Sequence, residues 1–397
     1  MNKNFSLFNL PEKVEFCSSC VISNQRPNSV VEFKNIDNKK SGIKFENGQC
    51  EACKYSSIKK KIDWEEREED LILLLSKYKK KNGYDCVVPG SGGKDSAYTA
   101  HILKYKYGMN PLTVTWAPHL YTNIGWQNFT NWMHKGGLDN ILFTPNGKLH
   151  RLLTKLSFEN LLHPFQPFII GQRIIGPKIA KRFNIPLVIY GENQAEYGNN
   201  IDENYNPLMD ANFYSTDQID DISFGGIKIS QIQKKYNFRL NDFEPYLPLK
   251  KNEIKDNETK VFYLGYFLKW DPQECFYYAS KNTGFKSNTE RTEGSYSKYS
   301  SIDDKIDPFH YYTTYIKFGL GRASYDAAQE IRNDKITREE GVTLVKKYDS
   351  EFPKKYFKDF LEYIDIDQKK FNSIIDSFRS PHIWDKTNKE WKLRKTL

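Results

Sequence analysis

The sequence predicts an α/β protein built on a doubly wound parallel sheet, preceded by a small metal-stapled module and followed by a mainly helical region. Three observations carry that prediction. From residue 84 to residue 190, apolar segments of strand length alternate with segments of helical period. Such alternation makes parallel strands joined by crossover helices. The first unit carries a glycine-rich turn, Gly90-Ser91-Gly92-Gly93-Lys94-Asp95-Ser96, between its strand and its helix. Before it lie two Cys-x-x-Cys pairs, in a stretch too poor in apolar residues to fold on a core of its own.

Residues 1–58 form the metal module. Cys17, Cys20, Cys50 and Cys53 make two knuckles separated by 29 residues, and each knuckle brings two sulfurs to one bend. Four thiolates close a tetrahedral Zn²⁺ site, and the long spacing costs little because loop-closure entropy grows slowly. An iron–sulfur cluster or redox-active thiols are the alternatives. Short strands are expected at 30–33 and 43–45. The other two of the six cysteines, Cys86 and Cys275, are isolated, so no disulfide framework is expected and the thiols imply a reducing compartment.

A connecting region, 59–82, carries a helix over 63–81. Asp63 can cap it, Glu65, Glu66, Glu68 and Glu69 crowd its N-terminal end, and Lys77, Lys79, Lys80 and Lys81 its C-terminal end, as the helix dipole favours. Asn82-Gly83 stops it.

The sheet domain is expected over 83–265. Strands are predicted at 84–89, 111–116, 140–143 and 187–190, with helices after the glycine turn, at 124–136, about 148–160 and 170–183. Ligands of such sheets bind at the C-terminal ends of the strands, which draws attention to the glycine turn and to Gly191-Glu192-Asn193-Gln194-Ala195-Glu196-Tyr197-Gly198. Residues 199–260 lack periodicity and are expected to make an excursion over the active-site face, as a lid. An apolar aromatic segment resumes at 263–270.

Residues 266–397 read as mainly helical. Asp271-Pro272-Gln273-Glu274 has an N-cap, a proline at the first position and an acid at the capping-box position. Further helices are predicted at 322–333, 355–363 and 368–378, with a second capping box at Thr337–Glu340. Between them Glu290, Arg291, Glu293, Tyr296 and Lys298, then Asp303, Asp304 and Lys305, offer groups able to hydrogen-bond a sugar or phosphate. The seven histidines show no metal-ligand spacing and are expected to be structural.

The glycine turn is the strongest chemical signal. Glycines let backbone N–H groups approach an anion, and the helix start adds partial positive charge. Lys94 supplies a formal charge, Ser91 and Ser96 hydroxyl donors, and Asp95 a carboxylate for Mg²⁺. The spacing is neither that of a Walker A loop nor that of the dinucleotide fingerprint. It resembles the SGGxDS PP-loop of the N-type ATP pyrophosphatases, which cleave ATP between the α and β phosphates.

The order of the remaining features narrows the resemblance. The CxxC…CxxC module, SGGKDS, GENQAEYG, the WDP helix start, ERTEGSYSKYSSIDDKIDPFHYY and IKFGLGRASYDAAQEIR…ITREEGVTLV together resemble the N-acetyl sugar amidotransferases. That group includes the pseudaminic-acid amidotransferase and an O-antigen mannuronic-acid amidotransferase, and the resemblance spans about residues 14–350. One departure is Gly90, where a larger apolar residue is expected and glycine is expected to loosen the turn.

The resemblance implies ATP and Mg²⁺ as reaction partners and Zn²⁺ as a structural ion. It implies adenylation of an acetamido oxygen, then displacement of AMP by ammonia to give an acetamidino sugar, in surface polysaccharide or flagellin glycan synthesis. Ser91, Gly92, Gly93, Lys94, Asp95 and Ser96 would hold the phosphates, with Lys94 and Asp95 catalytic. Glu192, Asn193, Arg291, Glu293, Tyr296 and Lys298 would face the sugar. Ammonia would come from a separate HisH-like glutaminase, with a HisF-like companion, since no glutaminase site is evident around Cys86 or Cys275. The runner-up reading is a PP-loop tRNA thiolase, and a third a non-catalytic ATP-binding regulator. The net charge of +9 is scattered rather than striped, which argues against nucleic acid, and no apolar run is long enough for a membrane, so a cytoplasmic protein is expected.

Overall fold

The computed structural model of the chain describes residues 5–198, 205–257, 259–388 and 390–397. Its centre is one parallel sheet of five strands: β1 (Cys86–Pro89), β2 (Pro111–Trp116), β3 (Asp139–Phe143), β4 (Leu187–Tyr190) and β5 (Lys260–Tyr263), in the order β3-β2-β1-β4-β5. β1 pairs with β2 from Cys86–Pro111 to Pro89–Val114 and with β4 at Cys86–Leu187 and Val87–Val188. The chain therefore winds outward in one direction from β1 to β3 and in the other from β4 to β5. A crevice opens between β1 and β4 at their C-terminal ends, where the two directions part.

Adjacent residues of a strand point to opposite faces, and both faces are covered. Val88, Leu187 and Ile189 pack under the helices Trp64–Tyr78, Lys94–Tyr105, Asn123–His134 and Pro272–Asn282. Val87, Val114, Val188 and Val261 pack under Gly147–Leu161 and Gln166–Arg182. Every residue of β1 and β2 is buried, as expected of strands covered on two sides. The helix after Asp63 starts as predicted, with the Asp63 carboxylate accepting from the backbone of Glu65 and Glu66 at 3.1 Å each. It ends at Tyr78, before the lysine run finishes, because Lys80 N–H donates to Asp85 at 2.7 Å instead of to a helical carbonyl.

The structure departs from expectation at several places, the helix Glu51–Lys59 of the cysteine module and the strand β5 among them. Residues 30–33 contribute to a short 3-10 turn, Glu32–Lys34, not a strand. The other expected strand is the two-residue Phe45–Glu46, paired with Gln49–Cys50 across Asn47-Gly48. Both turn residues have positive φ (50° and 76°), as the two-residue turn requires, and this sets Cys50 down on the module's core. The described part of the excursion is a folded unit packed largely on the second face of the sheet, with Met209 reaching the site. Residues 205–257 fold as the hairpin Ser223–Phe224 and Ile227–Lys228, the helix Ile229–Tyr236, the 3-10 segment Leu240–Tyr246 and the helix Lys251–Asn257. Phe224, Ile232, Phe243 and Tyr246 are wholly buried on the second face of the sheet; the remainder of the predicted excursion at 199–204 and 258 lies outside the described residues. Two further elements were not expected: the helix Asp307–Phe318, and a C-terminal hairpin of Trp384–Thr387 with Glu390–Leu393.

The C-terminal region also includes the helices Arg322–Arg332, Arg338–Tyr348, Phe357–Ile364 and Gln368–Ser377. The cysteine module packs onto the first two. Ala327 and Ala328 share a buried cluster with Cys17, Cys20, Cys50 and Cys53, and Ile331, Val342 and Val345 flank it. No helix among the described residues is long and apolar enough to cross a membrane.

Candidate active site

The glycine turn leaves β1 tethered to the end of β2, Gly90 N–H donating to Val114 O at 2.9 Å. A Cβ at position 90 would sit 2.1 Å from the Ser96 Cβ and 3.3 Å from the Trp132 ring. The larger residue expected there has no room, and glycine tightens the turn where the sequence suggested loosening. Gly92 has φ +81°, and a Cβ there would meet the Phe129 backbone at 2.8 Å. Lys94 opens the next helix and is buried, its Nζ 2.5 Å from Asp95 Oδ2. The other Asp95 oxygen is buried without a hydrogen-bond partner. Ser96 Oγ donates to Gly93 O at 3.1 Å and Thr99 Oγ1 to Asp95 O at 2.8 Å, which fix the first turn.

The loop after β4 comes to the same place. Gly191 lies under the Trp270 ring, where a Cβ would clash at 2.8 Å, and its carbonyl accepts from Gly265 N–H at 2.8 Å. Asn193 is buried and shapes the loop, its Oδ1 accepting from Ala195 N–H at 3.2 Å ahead of the short helix Gln194–Tyr197. Burial first, and the Asp95 charge second, push the Glu192 carboxyl up to about 7, against the pull of Lys94, Tyr197 and Arg322.

A group whose folded pKa exceeds its unfolded value binds protons more tightly in the fold. Glu192 thus stabilises the fold at low pH, and that contribution is lost as pH rises from about 4.5 to about 7. Glu192→Gln is expected to raise the melting temperature of the ligand-free chain by a few degrees at pH 8, and to leave it nearly unchanged at pH 5. Thermal melts at the two pH values check this; an equal shift at both would mean that the carboxylate is not under that strain.

Two adjoining cavities meet at these loops, about 340 Å³ and about 330 Å³, sharing Asp95, Gln172, Glu192 and Tyr197 as common wall. The second is closed by Pro89, Gly90, Tyr190, Met209, Tyr263 and Arg173 and is nearly free of further acids. The first is acid- and tyrosine-rich. Asp303, Asp307, Asp326 and Glu330 line it beside Tyr299, Tyr311 and Tyr325, against the cations Lys94, Arg322 and Lys335. Arg322 is held by Asp326 at 3.0 Å and lies 4.4 Å from the centre of the Tyr311 ring. Burial raises Asp307 to about 7. Ser91 and Asp303 line one further small cavity together, which joins the glycine turn to the acid wall.

The residues predicted for the site divide into two groups. Ser91, Gly93, Lys94, Asp95, Ser96 and Glu192 line the paired cavities, and Gly92 and Asn193 support the loops from behind. Arg291, Glu293, Tyr296 and Lys298 line neither cavity. Arg291 grips Glu351 with both terminal nitrogens, at 2.6 and 2.7 Å, and also donates to Ser295 O. Glu293 accepts from Lys355 N–H at 3.0 Å, Tyr296 donates to Glu330 at 2.8 Å from behind the wall, and Lys298 is exposed. Arg291→Ala is therefore expected to cost about 1 kcal/mol of stability while changing turnover less than about threefold (~0.7 kcal/mol). Melting and steady-state assays of that variant decide it.

Sequence reasoning passed over Arg322, Tyr325, Asp326 and Gln329. Their signal is a polar stripe at helical spacing, opposite Ala327 and Ala328. Asp307, Tyr311 and Arg173 had no comparable signal. Cys275 lies near Lys94 and Asp95, but burial and the neighbouring carboxylates raise its thiol well above the ordinary range. Cys86 is raised by burial within β1. Neither is poised as a thiolate.

The four module cysteines are buried, with their sulfurs all within 4.8 Å of one another. Cys17 and Cys53 lie 3.8 Å apart, as do Cys20 and Cys50, and a tetrahedron with bonds of about 2.3 Å has edges of about 3.8 Å. Backbone N–H groups of Ser19 and Cys50 donate to Cys17 Sγ at 3.4 and 3.3 Å, as they would to a metal-bound thiolate. The donor set fits a tetrahedral thiophilic ion such as Zn²⁺.

Residues 293–397 match the family model for the LPS biosynthesis protein WbpG-like, C-terminal domain. No curated protein matches the chain. Among solved structures, the NH3-dependent NAD synthetase from Campylobacter jejuni is 14% identical over 56% of this chain and 94% of its own, with a TM-score of 0.27. The NMN synthetase from Francisella tularensis is 15% identical over 57% of this chain and 89% of its own, with a TM-score of 0.26. At that distance neither adds to the strand order and motif seen directly.

Proposed function

We propose, from the premise that residues 293–397 are a WbpG-like C-terminal domain set behind a PP-loop sheet, that the chain is an ATP-dependent amidating enzyme of lipopolysaccharide biosynthesis acting on an N-acetyl sugar. The observation that carries the reading is the acid-rich cavity, which two parts of the chain build together. One side is the phosphate-binding turn at the end of β1; the other, from Ser297 to Lys335, comes from the region the family model matches. ATP on the turn and an acceptor against the C-terminal wall would meet at Asp95 and Glu192.

In this scheme the acetamido oxygen attacks the α-phosphorus, and the bond from that phosphorus to the bridging oxygen breaks. Pyrophosphate leaves with the electron pair toward Lys94 and the N–H groups of the turn, charge that these groups are already placed to meet. Asp95 and Glu192 are the carboxylates that would hold Mg²⁺, which when bound neutralises charge on the phosphates. Ammonia then adds to the imidate carbon, one proton is lost to solvent or a carboxylate, and the C–O bond to AMP breaks. The acetamidine product is a cation at neutral pH, which suits a compartment in which acids outnumber bases. The raised, buried thiols of Cys86 and Cys275 suit a chain that receives ammonia from a separate glutaminase.

The test supplies candidate N-acetyl sugars, nucleotide-linked or acidic, with ATP and a nitrogen source. Free ammonium is expected to support turnover and glutamine alone is not. The product should be lighter than the acceptor by the difference between O and NH. Turnover with glutamine as sole nitrogen source, by this chain alone, would contradict the scheme's nitrogen supply.

A further inference from the structure

Arg332 closes the helix Arg322–Arg332, whose polar stripe lines the acid-rich cavity. It is only 7% exposed. One terminal nitrogen donates to Glu196 O, in the loop after β4, at 2.9 Å. The other terminal nitrogen and Nε are buried with no hydrogen-bond partner. The negative groups that act on it most strongly are Cys20, Cys53 and Cys50, and then Glu196; Ala328 and Ile331 of its own helix pack in the cluster of those cysteines. A guanidinium is not left half-satisfied inside a protein without a compensating charge, and four thiolates around a divalent ion carry two net negative charges. The same junction is tied at three more points. Lys59 pairs with the Glu196 carboxylate at 2.6 Å, Ser56 Oγ donates to Arg332 O at 2.9 Å, and Gly198 approaches Ala52 so closely that a Cβ would meet its backbone nitrogen at 3.2 Å.

We propose that Arg332 is a positioning residue that couples the metal centre to the phosphate site: its free N–H groups face the metal tetrathiolate, while its remaining nitrogen fixes the loop that carries Glu192. The other buried guanidinium near Cys50, Arg26, is turned to the Tyr197 and Tyr325 rings, at 5.6 and 4.8 Å, and does not substitute for it. Metal binding then orders the β4 loop through Arg332, with Lys59 and Ser56 holding the junction around it. The inference needs the cysteine site and the nucleotide site but not the identity of the acceptor.

Two measurements on the full chain test it: zinc affinity by competition with a chromophoric chelator, and Mg·ATP affinity by calorimetry with and without zinc. Loss of a group that supports metal ligands typically costs 10–100-fold in affinity, and Arg332→Met is expected to lose about that much for zinc. In the wild type, removing zinc is expected to weaken Mg·ATP binding about fivefold or more; in Arg332→Met it is expected to change it less than about twofold. A folded Arg332→Met that binds zinc within about twofold of wild type, or keeps the wild-type coupling, overturns the proposal. Should Arg332→Met not fold, Arg332→Lys decides: it keeps the charge but not the fork, so coupling lost supports the proposal and coupling intact overturns it.

Discussion

Asp95→Asn and Lys94→Ala are each expected to lower acceptor-dependent pyrophosphate release by about 10²–10³-fold with the fold intact. The size follows from where charge develops. As the α-phosphorus transfers, negative charge gathers on the departing pyrophosphate, and a preset cation in a low-dielectric pocket is worth more there than in water. Lys94 is such a cation: buried, 2.5 Å from Asp95, and raised by Asp95 and Glu192 despite its burial. Asp95→Asn keeps the side chain's shape and removes the charge that would hold Mg²⁺, while its neutral amide leaves Lys94 unpaired. Both side chains sit at the mouth of β1, outside the packed faces of the sheet, so each variant is expected to fold, with a melting temperature lowered by no more than the loss of one buried ion pair. Near-normal turnover of both variants would reduce the turn to a structural bend.

Removing the metal, by chelation or by Cys50→Ser, is expected to have the largest effect on stability. The module's own core is little more than its cysteines, Val21, Ile22, Ile43 and Ala52. A site of this kind contributes folding energy directly, about 10–16 kcal/mol of apparent binding free energy in isolated zinc modules. Because Ala327 and Ala328 close the same cluster, loss of the metal should loosen the helix that presents Arg322, Tyr325 and Asp326 to the acid-rich cavity. The expected result is an early, separate melting transition together with a rise in acceptor KM of about tenfold or more. Metal analysis and differential calorimetry check it. A melt and a KM unchanged by loss of the metal would mean that the cysteines are dispensable to the fold.

The parallel sheet is legible in the sequence because its strands are buried on both faces and punctuated by glycine turns and capped helices. β5 is not, since Lys260–Tyr263 merges into an aromatic run with no glycine turn to mark its end. The helix Asp307–Phe318 hides in a similar way: its aromatic residues obscure the helical period, and only Pro308 near its start marks it. In the site, the phosphate turn is contiguous and can be read as a unit. The acid-rich wall is assembled from Tyr197, Asp271 and residues between 297 and 335, brought together only by the fold. Arg291 shows the opposite error. Beside Glu290 and Glu293 it looks like a ligand-binding charge, but its partner Glu351 is 60 residues further on and no local pattern announces it.

The account rests on the glycine turn cleaving ATP between its α and β phosphates for the benefit of an acceptor in the adjoining cavity. The direct measurement is the nucleotide balance of the wild-type chain with ammonium, Mg·ATP and N-acetyl sugar acceptors. One AMP and one pyrophosphate for each acceptor consumed is the result the geometry predicts. ADP and inorganic phosphate, or AMP formed at the same rate without any acceptor, would contradict it.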